Sequence, residues 1–132
     1  MAEMVVLFDP KLADKLEFMH MRAGQLMSKA RFFSSQFLAY FEDDLWLKNA
    51  KHSNLMAQTL SQVFYARGFQ IIYPVDANEV FVAMPEALAK NLWEKGAGFY
   101  PWDPGIYRFV TSFSTTETDI QNLLSALQNE EL

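Results

Sequence analysis

Arg108 offers the clearest chemistry in this 132-residue chain. Strand alternation through Ile106-Tyr-Arg-Phe-Val110 puts Ile106, Arg108 and Val110 on one face. Tyr107, Phe109, Thr111 and Phe113 face the other way. Arg108 therefore stands between two apolar neighbours. A guanidinium held there needs an anion, because unpaired burial is costly. A planar fork on a rigid strand suits a carboxylate bound through two hydrogen bonds. An internal salt bridge, or an edge arginine reaching water, explains the same spacing and is the commoner arrangement. A second basic group, Arg22, Lys29 and Arg31, surrounds Gly24 and Ser28. A helix starting near Ser28 would add its N-terminus to those cations and suit a phosphate. In the absence of a glycine-rich loop, a solvated junction between helices is the simpler account.

Other polar residues carry less. Asn78 closes a turn before an apolar strand and needs no role beyond that turn. His20 and His52 have no carboxylate or second histidine at ligand spacing, so both read as surface or packing residues, and no metal site is expected. Asp43-Asp44 reads as a solvated charge pair at a helix end. No Ser-His-Asp set, G-x-S-x-G elbow, P-loop or G-x-G-x-x-G run is present. On the residues alone the chain has no self-contained catalytic set.

Composition narrows the class. Hydrophobic residues make up 51% and aromatics 15%, with twelve Phe, which is too apolar for a disordered tail. A formal charge of −5 without a basic cluster argues against nucleic-acid binding. The absence of Cys excludes disulfides, thiolate metal sites and cysteine nucleophiles. No apolar run is long enough to span a bilayer and no signal peptide is visible, so a cytoplasmic protein without membrane partners is expected.

The elements that must position Arg108 follow from period and punctuation. Met4-Val-Val-Leu-Phe8 reads as a strand buried on both faces. Asp9-Pro10 opens a helix, with Leu12, Leu16 and Met19 on one face and Gly24 as an interruption. From Ser28 to Phe41 the stripe Phe33, Phe37, Tyr40 and Phe41, widened by Phe32 and Leu38, predicts a helix buried on more than one side. Leu45 to Arg67 predicts a long amphipathic helix stopped at Gly68. Strands follow over 69–73 and 79–84, a helix from Pro85 to Lys95, a short strand at Phe99-Tyr100, a turn at 102–105 and a strand over 106–113. Ser114 and Glu117 have capping-box spacing before a last helix reaching about Asn129. The order is β-α-α-α-β-β-α-β-β-α, an α/β (α+β) chain with a mainly antiparallel sheet packed with helices. Residues 1–44 are separable from an α/β unit over 45–132.

The chain resembles the C-terminal part of low-specificity threonine aldolases, β-eliminating lyases that use pyridoxal phosphate on the aspartate-aminotransferase fold (fold type I). Arg22-Ala-Gly-Gln-Leu-Met-Ser-Lys-Ala-Arg-Phe-Phe33 with Gln36-Phe-Leu-Ala-Tyr40 is similar to the segment linking the large and small domains. Ala50-Lys-His-Ser-Asn54 with Met56-Ala57 is similar to the family's long-helix motif. Asp76-Ala-Asn-Glu-Val-Phe-Val82 and Tyr107-Arg-Phe-Val-Thr-Ser-Phe113 are similar to two small-domain strands. The resemblance implies a small C-terminal domain at 45–132, preceded by the large-domain end and interdomain helices at 1–44. It implies that Arg108 binds the substrate α-carboxylate, and that Arg22 and Lys29 lie near the cofactor phosphate. It also implies an enzyme that cleaves β-hydroxy-α-amino acids to glycine and an aldehyde, as a homo-oligomer. The family's Schiff-base lysine and cofactor bed lie upstream of the region matching Met1, and none of the lysines at 11, 15, 29, 48, 51, 90 and 95 matches it. The expectation is therefore an inactive fragment with no catalytic residue and no bound pyridoxal phosphate of its own. The alternative is a non-catalytic small-carboxylate-binding or dimerisation module derived from that domain.

Overall fold

A computed structural model describes residues 4–128. They divide into two compact units, one running to Trp46 and the other starting at Leu47.

The first unit is helical. The side chain of Asp9 accepts from the Lys11 N–H at 2.9 Å, and Pro10 takes the first position of a single 3-10 turn, Pro10–Ala13. Lys15 then adopts φ +61°, so the helix expected from Asp9-Pro10 begins only at α1, Leu16–Arg22. Gly24, at φ +68°, ends that turn of chain without the steric cost a side chain would add. Helix α2, Arg31–Phe41, begins three residues later than Ser28. It runs into a 3-10 turn at Glu42–Asp44, where Asp43 and Asp44 both have positive φ.

Two expectations fail here. Residues 4–8 form no strand, because no described segment offers a partner ladder and an unpaired strand has nothing to bond. They lie open, with Val5 84% and Phe8 93% exposed. Helix α2 is not buried on more than one side: Phe33 and Phe37 are half-covered, while Leu38 is 73% exposed. Its aromatic stripe is real, but the rings stack on one another, Phe37 on Phe41 at 6.5 Å and Phe41 against Trp46 at 6.1 Å. No described residue of this unit is buried. The observed order is thus α-α-α-β-β-α-β-β-α.

The second unit holds the core. Helix α3, Leu45–Ala66, continues into it and ends at Gly68 (φ +81°). The Phe69 N–H closes the end by donating to the Phe64 carbonyl at 3.1 Å. The chain then forms β1 (Gln70–Ile71), β2 (Glu79–Ala83), α4 (Glu86–Glu94), β3 (Tyr100–Asp103), β4 (Ile106–Val110) and α5 (Glu117–Gln128). The sheet order is β1-β2-β4-β3 and every pairing is antiparallel. Strand β1 is shorter than the sequence implies, although the Ile72 N–H still donates to the Phe81 carbonyl at 2.9 Å. Strand β3 runs on through Trp102 and Asp103, which the dipeptides of that stretch suggested as turn.

One sheet face packs on helices. Val80 and Val82 of β2 and Phe109 of β4 join Met56, Leu60 and Phe64 of α3, Leu88 and Leu92 of α4, and Ile120 of α5 in one cluster. Phe64 sits at its centre, 4.9 Å from the Phe109 ring and 5.8 Å from Phe69. The alternation read from the sequence therefore holds: Val80, Val82 and Phe109 point to the core, and Arg108 to the other face.

The end of β4 is held by side-chain and backbone bonds. Asn78 donates from Nδ2 to the Thr111 carbonyl at 2.8 Å, and its backbone carbonyl accepts the Thr111 N–H at 2.9 Å. The buried Thr111 hydroxyl donates to the Ser53 carbonyl at 2.7 Å. These bonds stop β4 at Val110, short of Phe113, by turning the chain toward α3. His52 joins the same region: its Nε2 lies 2.7 Å from the Thr115 carbonyl. A carbonyl only accepts, so Nε2 carries the proton.

Helix α5 is capped one turn-position away from the expected Ser114–Glu117 pair. The Thr116 hydroxyl and N–H both donate to Asp119 Oδ2, at 2.7 and 2.8 Å, and the Asp119 N–H lies 3.2 Å from the Thr116 hydroxyl. The Thr116 hydroxyl first, and its N–H second, hold the Asp119 carboxyl below its ordinary value of 3.8. A depressed carboxyl adds stability above its unfolded pKa and loses it as pH falls through the lower folded value. Acid titration followed by circular dichroism should accordingly show Asp119→Asn with a shallower loss of stability below about pH 4. An acid profile identical to wild type would remove this cap from the stability of α5.

Candidate functional site

The outer face of the sheet carries the one concentration of polar chemistry that matches the sequence reading. Strand β4 is central, so Arg108 has a neighbour on each side: Phe81 of β2 and Tyr100 of β3 are its register partners. Its guanidinium carbon lies 5.2 Å from the Tyr100 ring centre and 5.3 Å from that of Trp102. Both are within reach of a cation–π attraction. Trp102 is braced in turn by the edge of Phe81 at 5.2 Å, and Phe81 by Tyr73 at 5.1 Å. Two aromatic rings thus flank the cation on this sheet face, and two more brace them.

The fork of Arg108 is incompletely used. One arm, Nη1, faces Glu79 Oε1 at 3.5 Å, with the two side chains 28% and 40% exposed. The internal salt bridge that the sequence allowed is therefore present. It is long for a charge-assisted hydrogen bond, which normally closes to about 2.7–2.9 Å. The Nε of the same guanidinium is covered by protein and has no hydrogen-bond partner. The fork thus has one loosely paired arm and one covered donor without a partner.

Two hollows of the second unit have linings that do not include Arg108. A cavity of about 310 Å³ lies against α5, lined by Leu60, Lys95, Thr115 and Asp119 among others. A wider recess of about 470 Å³ borders Trp102 and the turn before β4. Arg108 opens onto the sheet surface instead of into an enclosed chamber.

Arg22 and Lys29, the basic residues suggested for a phosphate, belong to the first unit and are exposed. Arg22 is the last residue of α1 and Lys29 sits in the turn before α2. The sequence reading also missed Glu79, Tyr100 and Trp102. Tyr100 and Trp102 are two residues apart, which hints at a shared face. The link from Glu79 to Arg108 depends on the β2–β4 register.

No family model matches the chain. A low specificity L-threonine aldolase of a Pseudomonas species is 37% identical over 128 residues, which is 96% of this chain and 37% of that protein. The low specificity L-threonine aldolase of Pseudomonas aeruginosa is 33% identical over 92% of this chain and 35% of its own length. The chain thus spans little more than a third of these relatives. The threonine aldolase of Leishmania major superposes with a TM-score of 0.73 at 25% identity, over 85% of this chain and 34% of that one. No helix among the described residues is long and apolar enough to cross a membrane.

Proposed function

We propose that this chain, related over nearly its whole length to part of the low specificity L-threonine aldolases, forms the carboxylate-binding arm of a pyridoxal-phosphate lyase. The complete enzyme cleaves β-hydroxy-α-amino acids to glycine and an aldehyde. The observation that carries this reading is the Arg108 guanidinium itself, held against two aromatic rings on the sheet face, part exposed and paired only loosely with Glu79. A substrate carboxylate lying on the sheet meets the exposed arms of that fork, which then fixes the amino acid's direction relative to the bond that breaks.

Pyridoxal phosphate, when bound to such an enzyme, draws electrons from the amino acid. Arg22 and Lys29 are exposed, available to a cofactor phosphate in the complete enzyme, and the cavity beside α5 offers one lysine, Lys95, whose Nζ lies 3.3 Å from the Ala126 carbonyl, close enough to donate. We assign the reactive lysine and the phosphate cradle to the part of the enzyme outside this chain. The open apolar residues of the first unit, Val5, Phe8 and Leu38 among them, are the surface by which it joins that part in an oligomer.

Two titrations test this division of labour. Pyridoxal phosphate added to the chain is expected to give no stable visible band and no glycine release from threonine. Glycine added in a calorimeter is expected to give weak, saturable heat. Turnover or a stable band would overturn the assignment of the cofactor bed elsewhere, and an absence of heat would overturn the carboxylate arm.

A further inference from the structure

We propose that Glu79 is a resident carboxylate that shares the Arg108 fork with an incoming one, while Tyr100 and Trp102 hold the guanidinium plane. This rests on the reading of Arg108 as a carboxylate site. Glu79 opens β2 opposite Val110, and Arg108 lies opposite Phe81, so the two are diagonal neighbours on one sheet face. Their single contact is 3.5 Å long and half-exposed. Glu79 has no other side-chain hydrogen bond or ion pair among the described residues. Such a contact is easily exchanged.

The guanidinium does not depend on Glu79 for its position. Tyr100 is its cross-strand partner, and the Tyr100 and Trp102 rings lie 5.2 and 5.3 Å from its carbon. The Phe81 edge, 5.2 Å from Trp102, keeps that ring from swinging away. Removing the Glu79 charge therefore leaves the fork oriented. It also removes both a competitor for Nη1 and a negative charge that repels an entering carboxylate. Glu79 is a competing carboxylate that weakens the capture of an anion, and the rings are what hold the fork ready for it.

The test is acetate titration of the whole chain, read on the Nε–Hε resonance of Arg108. Wild type is expected to bind weakly, with Glu79→Gln about fivefold tighter. Glu79→Asp should return toward wild type, because the charge is restored. Tyr100→Leu combined with Trp102→Leu should bind more weakly than wild type at an unchanged Glu79. Equal or weaker binding by Glu79→Gln, with wild-type binding intact, would overturn the role of Glu79 and leave the Arg108 site standing. An Nε–Hε signal unmoved by acetate in both wild type and Glu79→Gln would instead overturn the site itself.

Discussion

Arg108→Lys is expected to weaken the binding of glycine to this chain by roughly ten- to a hundredfold, as measured by calorimetry. Lysine keeps the positive charge but loses the planar fork, the donor at Nε and the stacking on Tyr100 and Trp102. A charge-assisted hydrogen bond contributes about 1.5–3 kcal/mol, which sets that range. Arg108→Ala should abolish measurable binding and also leave Glu79 without its partner. The surrounding core should not notice either change, because Arg108 faces away from Phe64 and Val80. Unfolding midpoints close to wild type are therefore part of the expectation. Wild-type affinity in Arg108→Lys would mean that a point charge suffices and that the fork is incidental.

Phe64→Ala is expected to have the largest effect on the fold, a loss of about 3–5 kcal/mol in denaturant unfolding. Phe64 is fully buried and touches both β4, through Phe109, and the segment after α3, through Phe69. Its ring fills the space between the long helix and the sheet, and the surrounding rings cannot all move into the void. Given the marginal stability of small domains, such a loss consumes much of the total. Phe64→Leu keeps most of the volume and should cost considerably less. A loss below about 1 kcal/mol for the alanine variant would show that the core collapses around the gap or that this helix is loosely packed.

Much of this architecture was legible because it depends on local periodicity and punctuation. The stripe Met56, Leu60, Phe64 predicted a helix from Leu45 to Arg67, which the structure forms over Leu45–Ala66, and Gly68 and Pro85 marked where helices stop and start. Alternation in Ile106–Val110 put Arg108 on the face opposite Phe109, which the sheet bears out. The same local rules misled where tertiary context decides. Met4–Phe8 has the composition of a buried strand, but a strand exists only with a hydrogen-bonded neighbour. Helix α2 has the stripe of a buried helix, but a stripe states what a helix would cover if a surface were offered. The cap of α5 moved to Thr116 and Asp119 because several Ser, Thr and acidic residues compete there, and geometry chooses among them.

The sequence by itself determined the helix-rich α+β class, the facing of Arg108 and the need of its guanidinium for an anion, all of which follow from residue type and spacing. Only the tertiary structure decided which anion is at hand and which donor is left over. The rest of β2, all of α4 and all of β3 separate Glu79 from Arg108 in the chain, and they meet because β2 and β4 pair in one register. Tyr100 and Trp102 reach the guanidinium because β3 closes the other edge of β4. Sheet register is a long-range property, fixed by how Val80, Val82 and Phe109 pack against the helices, and no short stretch of chain contains it.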